Sequence, residues 1–225
     1  RSDKMSWYNG ETLLHSLENI PVANDINHID FRFPVQTVIR PHTSAHHDFR
    51  GYAGRIASGI IRVGDEITAI PSRLTSRVKT IHFAENQLDE AFAPQSICLE
   101  LEDDIDISRG DMIVKTANQP NQSQELEAMI CWMGENPMSL NGKFSFQHTS
   151  RVGKCVIKEI VYKIDLNELK RNQGESSLSK NDIARIKLKT TTPLCFDAYR
   201  KNRSTGSFIL IDETNNNTVG AGMIV

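Results

Sequence analysis

The 225-residue sequence predicts an all-β protein: two consecutive β-barrels after a short N-terminal helix. Three observations predict it. Short runs rich in β-branched and aromatic residues, alternating apolar with polar, recur along most of the chain. Turn-forming residues separate these runs, without intervening helices. A polar, proline-containing stretch, Thr116–Glu125, divides them into two sets, each of a size usual for a small domain.

The helix comes first. In the stretch Asn9 to Ile20, Leu13, Leu14, Leu17 and Ile20 share one face at helical spacing. Asn9 is the expected N-cap, Glu11 suits the positive end of the helix dipole, and Pro21 stops the pattern. Trp7 and Tyr8 precede it and are expected to pack on something. The period then changes. Phe31–Ile39 reads as a strand, followed by Tyr52–Ser58, Glu66–Ile70, Ser76–Phe83, Ser96–Leu101 and Met112–Lys115. The punctuation between them is turn-like, as in Val63-Gly64-Asp65 and Arg109-Gly110-Asp111. Beyond the connector, strands are expected over Leu126–Met133, Lys143–Thr149, Cys155–Ile164, Ile183–Thr191, Ser207–Asp212 and Thr218–Val225, with Leu166–Asn181 a loop holding at most one helical turn. Barrels are preferred over open sheets because closure removes exposed edges. The expected division is 1–27 for the helical linker, 28–117 for the first barrel and 118–225 for the second.

Composition narrows the function. Twenty-six Lys+Arg against 28 Asp+Glu leave a formal charge of -2, so no bulk basic charge drives nucleic-acid binding. No apolar run approaches the roughly 18 residues that span a membrane. The four cysteines, Cys98, Cys131, Cys155 and Cys195, are scattered and form no C-x-x-C pair. They read as small buried groups of a reduced, cytoplasmic protein.

The motifs offer no self-contained catalytic constellation. Gly142-Lys143-Phe144 and Gly153-Lys154-Cys155 lack the Ser or Thr that follows a phosphate-loop lysine, and both read as turns. No G-x-S-x-G or H-E-x-x-H pattern occurs. His42, His46, His47 and Asp48 gather metal-competent side chains in one loop, but no helical pattern aligns them. That loop reads as a solvated polar segment, or as an interface with another domain. The acidic run Glu100–Asp106 reads as an edge strand entering a turn, and Lys187, Lys189, Arg200, Lys201 and Arg203 as a charged barrel rim near Tyr199 and Phe208. No catalytic, GTP-binding or metal-ligating residue is predicted in this chain.

Several segments carry a resemblance. The run from Gly54 through Ser58-Gly59 to Glu66, and the ending Thr218-Val-Gly-Ala-Gly-Met-Ile-Val225, resemble the two β-barrels that follow the GTP-binding domain in elongation factor Tu and its relatives. Asp48-Phe-Arg-Gly-Tyr-Ala-Gly54, Glu90-Ala-Phe-Ala93, Asp104 to Asp111, Asn202 to Asp212 and Met5 to Leu14 narrow it within the translational-GTPase superfamily. They resemble sulfate adenylyltransferase subunit 1, the family of large GTP-binding subunits of heterodimeric ATP sulfurylase.

The resemblance implies a fragment of an enzyme complex that makes adenosine 5'-phosphosulfate and pyrophosphate from ATP and sulfate. A small catalytic subunit carries the adenylyl transfer. A GTPase domain, expected to bind GTP and Mg outside this chain, supplies the coupling. This chain alone is expected to be inactive, to hold no cofactor, and to act as scaffold between the two, with no membrane or nucleic-acid partner. His42, His46, His47, Asp48, Arg50 and Arg55 are expected to face the GTPase domain, and Arg200 and Arg203 to shape a partner-facing rim. The loop Pro41–Asp48 looks longer than its family counterpart, so no family role passes to its histidines. The competing reading is a translation-factor GTPase whose barrels bind tRNA or the ribosome.

Overall fold

The computed structural model describes residues 3–20, 27–41, 49–168 and 170–225. After a 3-10 turn at Asp3–Met5 comes the helix α1, Leu13–Asn19. Its cap is Thr12 rather than the expected Asn9: the Thr12 Oγ1 accepts from the His15 amide at 3.2 Å. The apolar face meets nothing within the described residues. Leu13 is 77% exposed and Trp7 74%.

The first barrel uses β1 (Arg32–Ile39), β2 (Gly51–Arg55), β3 (Ile60–Arg62), β4 (Glu66–Ile70), β5 (Thr75–Phe83), β6 (Asn86–Leu88), β7 (Glu90–Phe92), β8 (Ser96–Leu101) and β9 (Met112–Lys115). Six of them run β4-β9-β1-β2-β8-β5, and β5 pairs back with β4 to close the ring. β3 and β7 form a separate two-stranded ribbon. The two-residue period of β1 sends Phe33 and Val35 inward, in line with Phe31 just before the strand. They join Ile67, Ile81, Leu99 and Ile113 in one core.

The second barrel uses β10 (Asn121–Trp132), β11 (Met138–Ser139), β12 (Lys143–His148), β13 (Arg151–Ile164), β14 (Arg171–Asn172), β15 (Ser177–Leu178), β16 (Ile183–Phe196), β17 (Ser207–Ile211) and β18 (Thr218–Ile224). The order β12-β17-β18-β10-β16-β13 is closed by pairing of β12 with β13. Leu126, Ala128, Ile130 and Trp132 alternate inward from β10. On the outer face, opposite charges sit across strands. Lys187 Nζ meets Glu159 at 2.9 Å, and Arg185 Nε meets Glu127 at 2.7 Å.

Three expectations change. The polar connector does not run to Glu125, because Asn121–Ser123 pair with Phe196–Leu194 and so begin β10. Gly153 is not in a turn; it lies in β13 opposite Phe146, whose ring occupies the space a side chain there would need. The segment Leu166–Asn181 contains the short strands β14 and β15, and no helix among its described residues.

Candidate functional site

The two barrels meet along a polar, largely buried junction. Arg32 shows why the sequence folds this way locally. Alternation sends Phe31 and Phe33 inward, so Arg32 must point out of the first barrel. It is nevertheless 0% exposed, because the second barrel covers it. There its Nε donates to Asp197 Oδ2 at 2.8 Å and its Nη2 to Asp197 Oδ1 at 3.0 Å. Its Nη1 donates to the carbonyls of Phe31 and Asn118. Thr205 Oγ1 donates to the same Asp197 carboxylate at 2.8 Å. Around this pair, Asn202 Nδ2 donates to Ser58 Oγ at 2.8 Å, and Lys201 Nζ meets Asp30 Oδ2 at 3.1 Å. A small apolar cluster, Ile70, Met112 and Val114 with Cys195, seals another part of the junction.

Beside this junction runs an open groove of about 930 Å³ with walls from both barrels. The first barrel supplies Arg55, Ile56 and Pro94, and the second Tyr199, Phe208 and Met223. Arg55 Nε donates to the Pro94 carbonyl at 3.1 Å. Gly206 lets the strand pass Tyr199 closely: a Cβ there would lie 2.4 Å from the Tyr199 Cα. Ser150 also lines the groove; it is 7% exposed, and its Oγ has no hydrogen-bond partner among the described residues.

Behind the groove lies His148, 1% exposed, whose Nε2 donates to the Thr205 carbonyl at 2.8 Å. Burial pushes its imidazole below the ordinary histidine range, and the bond to Thr205 opposes this only in part. An unfolded chain protonates such a ring near pH 6.5, whereas the folded protein resists until lower pH. The unfolded state therefore binds more protons below that value, and stability falls as pH drops. Asp30 adds the same trend at lower pH. Burial pushes its carboxyl up, but hydrogen bonds from Asn27, Asn118 and Lys201 outweigh it and hold it below the usual range. The urea midpoint is expected to fall between pH 7 and pH 5.5, a window in which His148 dominates. His148→Gln should flatten that fall; an equal fall in the variant would assign the effect elsewhere.

The sequence-derived candidates scatter. His42, His46, His47 and Asp48 lie outside the described residues. Arg50 sits away from the groove: its Nη2 reaches Asp106 at 2.8 Å, its Nη1 reaches Asp104, and its guanidinium lies 5.5 Å from the Tyr52 ring centroid. Arg55 and Arg203, named from distant parts of the chain, line the same groove. Arg200 is exposed in the turn before it. Ser150, Asp197 and Arg32 were not anticipated. The one available signal was Arg32 itself, a lone charge between Phe31 and Phe33. Among the described residues no group of three or more His, Cys, Asp or Glu could hold a metal ion.

Residues 125–225 match the family described as GTP-eEF1A C-terminal domain-like. The chain is 47% identical over 225 residues to sulfate adenylyltransferase subunit 1 of Bacteroides fragilis, covering all of this chain and 46% of that protein. It is 46% identical over 226 residues to the bifunctional enzyme CysN/CysC of Mycobacterium tuberculosis, covering all of this chain and 37% of that protein. The chain thus spans less than half the length of these curated relatives. Among solved structures, that of Sup35 complexed with GDP superposes with a TM-score of 0.79 at 19% identity, over 97% of this chain and 52% of that one. At that identity the likeness is one of fold.

Proposed function

We propose, from a chain that belongs along its whole length to the family of sulfate adenylyltransferase subunit 1, that its two barrels are the coupling scaffold of a GTP-dependent ATP sulfurylase. The observation that carries this reading is the 47% identity to the Bacteroides fragilis protein over all of this chain. In this reading the chain divides at residues 117/118. GTP and Mg bind to a GTPase domain outside it, and a small catalytic subunit joins sulfate to the adenylyl group of ATP. The barrels perform no bond-making step. They hold the other two parts in a nucleotide-dependent arrangement, which requires contacts that differ between the GTP and GDP states.

The junction supports that role. A displacement applied to one barrel reaches the other only if the joint does not yield. The Arg32–Asp197 pair and the buried Asn202–Ser58 bond resist sliding at that joint. The exposed apolar face of α1, with Trp7 and Tyr8 ahead of it, suits packing against the GTPase domain. The translation-factor reading draws on the barrel fold and on the family match of residues 125–225, and proteins of that fold serve more than one purpose.

The test is calorimetric titration of the chain with an ATP sulfurylase small subunit, with bulk tRNA as the comparison. Micromolar or tighter binding of the subunit, with no tRNA binding, is the expected result. Salt-dependent tRNA binding with no subunit binding would overturn the reading in favour of a translation factor.

A further inference from the structure

We infer that the groove between the barrels is the docking site for an extended acidic segment of a protein partner, with a partner carboxylate seated on Arg55. The occupant we name is a segment of the small catalytic subunit, so that part of the inference rests on the function proposed above.

The charge in the groove points to an acidic ligand. Among the described residues Arg55 and Arg203 are the charged side chains that line it and no carboxylate does; Arg203 has interactions of its own, so Arg55 is the charge on offer. Elsewhere on the same barrel, Arg62 faces Glu90 and Arg40 meets Asp104, whereas the exposed Arg73 and Arg109 bond the Gln122 side chain and the Gln36 carbonyl and lie outside the groove. Arg55 is exposed and spends its Nε on the Pro94 carbonyl. That bond orients the guanidinium, and among the described residues no acidic group neutralises it. A fork of donors fixed in this way is suited to a carboxylate, which it can grip with two parallel bonds.

The shape and the apolar wall point to a chain segment. Clefts for small molecules enclose most of their ligand. This one, at about 930 Å³, is an open trough running between two domains. Its walls carry Tyr199, Met223 and arginine, the residue types enriched where proteins meet. Met223 is 39% exposed although large and apolar. The Ser150 Oγ in the wall, without a hydrogen-bond partner among the described residues, is a second sign of an incomplete site. A buried hydroxyl without a partner is uncommon and unfavourable. An acidic segment with alternating apolar residues would meet all three features.

The test uses this chain and a fluorescein-labelled hexapeptide, Glu-Leu-Glu-Phe-Glu-Leu, with Gln-Leu-Gln-Phe-Gln-Leu as its uncharged counterpart, read by anisotropy. The acidic peptide should bind at least tenfold more tightly than the uncharged one, and more weakly as salt is raised. Arg55→Gln should weaken it at least fivefold. Arg62→Gln, a charge change of the same size outside the groove, should leave it unaltered. Equal binding of both peptides, or no effect of Arg55→Gln, overturns the inference.

The small subunit itself forms the second arm. Weakened subunit binding by Arg55→Gln, with competition from the acidic peptide, supports the whole inference. Subunit binding that is indifferent to both rejects the groove as its site and leaves the scaffold reading standing. Failure of the subunit to bind the unmodified chain rejects the scaffold reading, and the peptide arm then decides the groove alone.

Discussion

Asp197→Ala is expected to destabilise the protein by about 3–5 kcal/mol, because it leaves the fully buried Arg32 guanidinium without its counter-charge. Few single changes act so strongly, and the reason is local. Arg32 cannot swing to water: it is 0% exposed and held from both sides, by the second barrel and by the Phe31 and Asn118 carbonyls. Thr205 loses its acceptor in the same stroke. Asp197→Asn keeps an oxygen for one donor and should lose less. Replacing both partners with apolar residues, Arg32→Met with Asp197→Leu, should recover much of the loss, since a well-packed apolar pair avoids the desolvation of two charges. Urea unfolding monitored at Trp132, 2% exposed inside the second barrel, reads all four proteins. A loss below 1 kcal/mol for Asp197→Ala would mean that the junction opens to water in solution.

Gly59→Ala is expected to cost about 2–4 kcal/mol, the sum of an unfavourable backbone conformation and an overlap that has nowhere to relax. Gly59 has φ of +78°, and a Cβ there would lie 2.4 Å from the Phe31 Cα and 2.5 Å from the Phe31 nitrogen. The obstacle is backbone, so no rotamer change relieves it. Phe31 carries the ring that opens the first core, and the neighbouring Arg32 amide donates to the Ser58 carbonyl at 3.0 Å. Pushing these strands apart would therefore disturb the core and the inter-barrel pair together. Gly64→Ala is the matched control. It has φ of +84° but nothing within 4 Å of the added carbon, so it isolates the conformational part. Equal losses for the two variants would show that the close approach at Gly59 is relieved in solution.

How much of this was legible in the sequence depended on whether a feature was local. The long strands announced themselves by alternation, and Leu126 to Trp132 in β10 bury every second residue; in β1 the alternation is masked because Arg32 to Val35 are all buried. The ribbon of β3 and β7 did not, because three residues hold too little alternation to detect. The first residues of β10 were hidden by their polarity, as their pairing to β16 is made by backbone groups that any side chain permits. For α1 the period was legible but the cap was not. Both Asn9 and Thr12 are competent, and only backbone geometry selects Thr12. The groove was half legible. Arg55 and Arg203 stand out as charges beside small and turn-forming residues, yet nothing in either segment says that they share a trough. That depends on how two closed barrels abut, and the same abutment explains why a charge at Arg32 is buried.

The Arg32–Asp197 pair joins residues 165 positions apart, one on the opening strand of the first barrel and the other just past β16 of the second. Neither barrel needs the other to close its own ring of strands. At that separation the contact is expected to form after the two rings do, and to be absent from the rate-limiting step in the formation of each. Its strength accordingly sets the lifetime of the joined state and leaves the speed of assembly untouched. A protein assembled in this order could be weakened at its joint without being slowed in its birth.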